Sequence, residues 1–159
     1  MSAGIKLVAD SGSTKTEWGV LGNGEPIILK TQGVSPFFQS EEQVKAILQT
    51  ELVPQLPSGV EVSEVHFYGT GLSQPKNIAL VSAAIKSTWP DAVADINHDL
   101  MGAARALCGR TPGVASILGT GSNSCFYDGN DIVKNNPGLG FILGDEGSGA
   151  YLGRKVLQY

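Results

Sequence analysis

"KLVADSGSTKTEWGV", Lys6 to Val20, is the stretch on which the fold turns. An apolar run ends on Asp10, a small hydroxyl-rich turn follows, and a second run starts at Thr16. Short β-rich runs on either side of a polar turn read as two strands. The turn itself, Ser11 to Lys15, has two readings. One is an ordinary polar hairpin with a turn-initiating aspartate. The other is a phosphate turn, in which the backbone N–H groups of Gly12, Ser13, Thr14 and Lys15 form an anion nest, with the Thr14 hydroxyl and Lys15 ammonium as added donors. Glycine at position 12 lets a ligand approach the backbone closely. In that reading Asp10, at the strand end, holds Mg²⁺ through water, because Mg²⁺ keeps several waters and takes few protein carboxylates. A Walker loop does not fit. It needs Gly, four residues, then Gly-Lys-Ser/Thr leading into a helix, whereas GSTKT has other spacing and is followed by a strand pattern.

Working outward, Ile5–Asp10 and Thr16–Leu21 are strands, and the Asn-Gly turn in "GNGEP" (Gly22–Pro26) leads to a third, Ile27–Gln32. "SEEQVKAILQTELVPQL" has acidic residues at its start, helical spacing of Val44, Ile47, Leu48 and Leu52, and Pro54 near its end, which predicts a helix. Val65–Gly69 is a short strand, and the segment from Pro75 to the stop at Pro90 is a helix. Ala92–Asn97 is a strand and Asp99–Leu107 a helix. The order βββαβαβα predicts an α/β layer, with an antiparallel hairpin part and parallel strands after each helix.

After Gly113 the opening pattern returns. "VASILGTGSNSCFYDGNDIVKNN" is again strand, small-residue turn, strand, tight turn, strand, about 110 residues downstream. This points to a duplicated domain: a first copy over residues 1–110 and a second, incomplete one over 111–159, which reaches one helix-like segment, "GAYLGRKVLQY". The second turn, Gly119, Thr120, Gly121 and Ser122, is another backbone-donor cradle. Two matching turns at equivalent points of a repeat favour the phosphate reading, with one polyphosphate clamped between two domains. Asp99 opens a helix after a strand. Capping explains a carboxylate there, and so does a general base that takes a proton from a substrate hydroxyl attacking a γ-phosphorus. His98 beside it reads as structural. In "PGLGFILGDEGSGAYLGR", glycines bracket Asp145 and Glu146, and carboxylates in a glycine-rich loop suit polyhydroxyl ligands.

Composition removes other classes. Apolar residues make up 42% of the chain and charged residues 16%, a globular balance. A formal net charge of −4 with no Lys/Arg stripe argues against a nucleic-acid partner. No apolar run approaches the ~20 residues that span a bilayer, and the start lacks a signal-peptide pattern. Cys108 and Cys125 lack metal-ligand spacing and read as unreactive thiols of a cytoplasmic protein.

The motifs "DSGSTKT", "NHDLMGA", "ILGTGSNS" and "GLGFILGDEGSGAYLGR", in that order, resemble the N-acetylglucosamine kinase branch of the BadF/BadG/BcrA/BcrD-type ATPases, within the actin-like superfamily of sugar kinases. The resemblance covers essentially the whole chain, although family members run to nearly twice its length. It implies two ribonuclease-H-like domains, ATP and Mg²⁺ as cofactors, a sugar as substrate, and a protein in which a homodimer is open. It further implies Asp10 near Mg²⁺, and Thr14 with its turn and Thr120 with its neighbours at the ATP phosphates. Asp99 becomes the catalytic base that also binds the sugar, and Gly138, Leu139, Gly140 and Asp145 the remaining sugar contacts. Ser35 stands where relatives commonly show an asparagine, and Leu139 where some place a tryptophan. In the family the half that is absent here supplies the adenosine pocket, so this chain alone is expected to be weakly active or inactive. Two other readings are an ATPase activator of a dehydratase or reductase, which would need cysteines for an iron–sulfur cluster, and a non-catalytic sugar or phosphate sensor.

Overall fold

The structure is a computed structural model that describes residues 4–22 and 24–158. Asn23, of the expected Asn-Gly turn, lies outside the described residues, as do Met1, Ser2, Ala3 and Tyr159. The chain divides into two compact units, the first ending at Asp99 and the second beginning at Leu100.

The first unit is a five-stranded sheet. Its strands are β1 (Ile5–Ser11), β2 (Lys15–Leu21), β3 (Ile27–Gln32), β4 (Val62–Gly69) and β5 (Val93–His98), in the order β3-β2-β1-β4-β5. β2 runs antiparallel to β1 and β3, whereas β1, β4 and β5 are mutually parallel. The two helices expected between the parallel strands are present: α1 (Glu41–Ile47) and α2 (Pro75–Thr88). Alternation along the strands sets the two faces. Leu7, Ala9, Trp18, Val65 and Phe67 enter one core with Val44, Leu48, Leu52, Val81 and Ile85. Trp18 packs edge-on to Phe67, with ring centroids 5.7 Å apart, and its indole N–H donates to Thr31 Oγ1 at 3.1 Å, so the polar atom of a fully buried ring is satisfied. The other face carries charge: Lys6 pairs with Glu64 at 2.7 Å, and His66 lies between Glu64 and Asp95 at 3.1 and 3.3 Å.

α1 starts where Ser40 and Gln43 form a capping box. It does not continue as one helix to Leu56. Leu48–Leu52 widens into a π turn and Val53–Gln55 tightens into a 3₁₀ turn, because Pro54 has no N–H and its ring clashes with the carbonyl four residues back. α2 begins with Pro75 at its first position and ends at Thr88, with Trp89 as its C-cap before Pro90.

Helix α3 (Asp99–Cys108) starts at the last residue of the first unit. The second unit repeats the opening meander as β6 (Gly113–Leu118), β7 (Ser122–Tyr127) and β8 (Ile132–Pro137), all antiparallel in that order. A short helix that the pattern did not show, α4 (Gly140–Leu143), precedes α5 (Gly149–Gln158). The βββαβαβα layer followed by βββ and a helix is therefore present.

Candidate functional site

The first turn connects β1 to β2. Gly12 donates its amide to the Lys15 carbonyl at 3.0 Å and closes a tight loop with Ser13 and Thr14 at its tip. All four residues are exposed. Of the four amides expected in the nest, Gly12's is therefore spent on the turn. Those of Ser13 and Thr14 have no hydrogen-bond partner among the described residues. The Lys15 ammonium is 3.0 Å from Glu17 Oε1, which also lies 3.3 Å from Lys30. Exposed pairs of this kind contribute little and exchange readily.

Asp10 and Asp99 sit at the same edge, the C-terminal ends of the parallel strands. Asp10 is in register with Tyr68 of β4, which is in register with Asn97 of β5, two residues before Asp99. Open α/β sheets bind ligands at this edge. Partial burial, the nearby Asp99 and Glu17 together hold the Asp10 carboxyl above its ordinary value, and Lys15 offsets only part of this. That is a concentration of negative charge suited to a cation. Burial pushes the His98 imidazole down, against the opposing pull of Asp99, which favours the neutral ring. Among the described residues no group of three or more His, Cys, Asp or Glu is arranged to hold a metal, so any Mg²⁺ here would take water for most of its ligands.

Ser35 lies on the strap that leaves β3. It is 4% exposed, and its amide donates to Gln39 Oε1 at 2.7 Å.

In the second unit, Leu118 and Ser122 close the turn Gly119–Gly121, and Ser122 is the first residue of β7. Gly119 donates to Gly121 O, and Gly149 donates to Gly119 O, both at 2.9 Å. Asp145 joins this turn to the glycine-rich loop. Its carboxylate packs against Gly121 and Gly138, at each of which a Cβ would meet a carboxylate oxygen. Its own φ of 60° is the left-handed region that non-glycine residues seldom occupy, a strain associated with functional positions. Gly140 has φ of 79° and Leu139 is 74% exposed.

Three residues to which the motifs assign no role shape these turns. Gly33 donates to Thr14 O at 3.1 Å and packs on Gly12 and Ser13 so closely that a Cβ would overlap their backbone. Ser11 is buried, and its Oγ accepts from the Val34 amide at 3.1 Å. Ser148, fully buried, caps α5 by accepting from the Tyr151 amide at 3.1 Å. Ser11 lies inside the first motif and Gly33 outside it, but only contacts distant in sequence show what either residue does. Cys125 is buried and its thiol is pushed up by that burial, as expected for an inert cysteine.

Compared with solved structures, the chain is 43% identical to a protein of Porphyromonas gingivalis provisionally designated an N-acetylglucosamine kinase. The match has a TM-score of 0.84 and covers 96% of this chain and 54% of that one. A protein of the same provisional designation from Chromobacterium violaceum matches at 22% identity and a TM-score of 0.64, over 99% of this chain and 57% of that one. The ROK hexokinase of Thermus thermophilus matches at 14% identity and 0.53, over 89% and 50%. The chain has the actin-like ATPase and sugar kinase fold. It spans about half the length of these proteins. No protein-family model matches the chain, and no curated protein does. Within the actin-like fold the two phosphate-turn candidates occupy equivalent β-hairpins of the two repeated meanders. Among the described residues no helix is long and apolar enough to cross a membrane.

Proposed function

We propose that this chain carries the phosphate turns, general base and sugar contacts of an ATP-dependent sugar kinase acting on N-acetylglucosamine or a related amino sugar, in the BadF/BadG-type group and in the cytoplasm. The observation that carries the reading is the pairing of Asp10 and Asp99 at one sheet edge, beside an exposed turn whose Ser13 and Thr14 amides are unpartnered. The 43% identity to the Porphyromonas gingivalis protein supports it.

The chemistry assigned to each residue follows from its place. Asp99 accepts the proton of the attacking sugar hydroxyl as the new O–P bond forms and ADP leaves. Little covalent work is needed from the protein in phosphoryl transfer, so positioning dominates. The amides of Ser13 and Thr14 and the Thr14 hydroxyl donate to phosphate oxygens, with Gly12 shaping the turn and Lys15 free to leave Glu17 for the ligand. Gly119, Thr120, Gly121 and Ser122 play the same part in the second unit. Asp10 is the carboxylate that would hold hydrated Mg²⁺. Bound Mg²⁺ supplies neutralisation of phosphate charge. Ser35, Gly138, Leu139, Gly140 and Asp145 contact the sugar, Asp145 accepting from its hydroxyls. We further propose that the working enzyme is longer than this chain, as its relatives are, and that these 159 residues alone turn over slowly or not at all.

The test is coupled ADP release, measured in a chain of the relatives' full length across hexoses and amino sugars. N-acetylglucosamine is expected to stimulate release, and Asp99→Asn to reduce it by roughly 10²–10⁴-fold, the usual worth of a general base. Turnover retained in Asp99→Asn removes Asp99 from that role. Absence of stimulation by any sugar defeats the kinase reading.

A further inference from the structure

The segment leaving β3, Gly33 to Gln39, forms a strap over the first phosphate turn. Four contacts bind them. Gly33 donates to Thr14 O at 3.1 Å. Val34 donates to Ser11 Oγ at 3.1 Å, and the same hydroxyl lies 3.2 Å from Val34 O and 2.7 Å from Thr16 Oγ1. The α-carbon of Gly33 rests on Gly12 and Ser13 with no room for a side chain. Ser11 and Thr16 are both buried, so water cannot replace these bonds. The strap is also braced from within, since the Gln39 side chain accepts from Ser35 N at 2.7 Å and donates to Gly33 O at 3.0 Å. On the far side of the turn, Thr70 donates its amide to Ser11 O at 3.2 Å.

One buried hydroxyl thus joins the turn assigned to phosphate to the strap that carries Ser35. We propose that Ser11 is a positioning residue that makes turn and strap one ordering unit, so that phosphate at Gly12–Lys15 and a sugar at Ser35 bind with positive cooperativity; this rests on the kinase reading above. The physical basis is entropic. A ligand that orders one end of a linked unit orders the other, and the second ligand then meets a smaller ordering cost. Reciprocity requires each ligand to improve the other by the same factor.

The experiment is calorimetry on the 159-residue chain with N-acetylglucosamine and with Mg²⁺–tripolyphosphate, each alone and in the presence of the other. The expected coupling in the wild type is at least about fivefold, the low end for linked sites. In Ser11→Ala each probe still binds, and the coupling factor falls to one. Coupling that survives in Ser11→Ala overturns the proposal, as does a wild type that binds both probes independently. A wild type that binds neither probe leaves the kinase reading to the ADP-release test on the longer chain. In that case native-state hydrogen exchange decides the linkage without ligand. Ser11→Ala should speed exchange of Val34, Gly33 and Gly12 together, by about fivefold, the worth of one hydrogen bond. Acceleration confined to Val34 overturns it. Ser11→Cys, which keeps a side chain of similar size with a weak acceptor, serves if the alanine variant does not fold.

Discussion

Asp10, exposed near the end of β1, has its carboxyl held above the ordinary range by its surroundings. Partial desolvation comes first among the causes, then the charges of Asp99 and Glu17. The sign follows from linkage. When the folded pKa is the higher one, the unfolded chain loses its proton first as pH rises, so stability falls between the ordinary carboxylate value and the folded one and stays lower at pH 7. Asp10→Asn is therefore expected to raise the thermal midpoint at pH 7 and to leave it unchanged near pH 3, where the acid is protonated in both states. Adding Mg²⁺ should stabilise the wild type and not the variant. A midpoint lowered at pH 7 by Asp10→Asn would show that the carboxylate has a stabilising partner. His98 behaves oppositely in mechanism. Its folded pKa is depressed by burial, so stability is full above the ordinary imidazole value and declines as pH falls through it. In His98→Gln that decline should shrink, which urea titrations at pH 7 and pH 5 would read.

Among elements, the junction of β3, the strap and the first turn is the most demanding. Gly33→Ala places a methyl group into the backbone of Gly12 and Ser13. Overpacking of this kind costs about 1–3 kcal/mol, and equilibrium urea unfolding should show a loss in that range. A change below about 0.5 kcal/mol, typical of a neutral surface site, would mean that the strap moves aside freely. The strands and helices themselves were legible in alternation, in the acidic start of the first helix, and in Pro75 and Pro90 at the two ends of the second. The π and 3₁₀ turns after Ile47 were not, because Pro54 marks where a helix is disturbed without saying how the turn before it relaxes. Helix α4 escaped notice since "GFIL" is too short for any periodicity to register.

For the whole molecule, the two units differ in the core they own. The first buries Trp18, Phe67 and a large aliphatic cluster. In the second, Val114, Leu118, Ile142, Leu143, Val156 and Leu157 are exposed, and its buried apolar residues are few. Burial is the main source of stability, so the second unit is expected to unfold first. Both tryptophans, Trp18 and Trp89, belong to the first unit. Urea unfolding followed by tryptophan fluorescence should therefore show a higher midpoint than unfolding followed by far-ultraviolet circular dichroism. Coincident curves would mean that the units unfold as one.

From its sequence alone this protein declared a repeated βββ plan, two small-residue turns at equivalent points and a carboxylate after each of two strands. These are local features, written in alternation and turn chemistry over a few neighbouring residues. Only the tertiary structure brought Asp10 beside Asp99, closed Gly33 onto the first turn, set Ser11 beneath the strap and packed Asp145 against Gly121 and Gly138. The physical reason is that charge repulsion, close packing and buried hydrogen bonds depend on distance through space, and parallel pairing of β1 with β4 and β5 brings together residues that lie far apart along the chain.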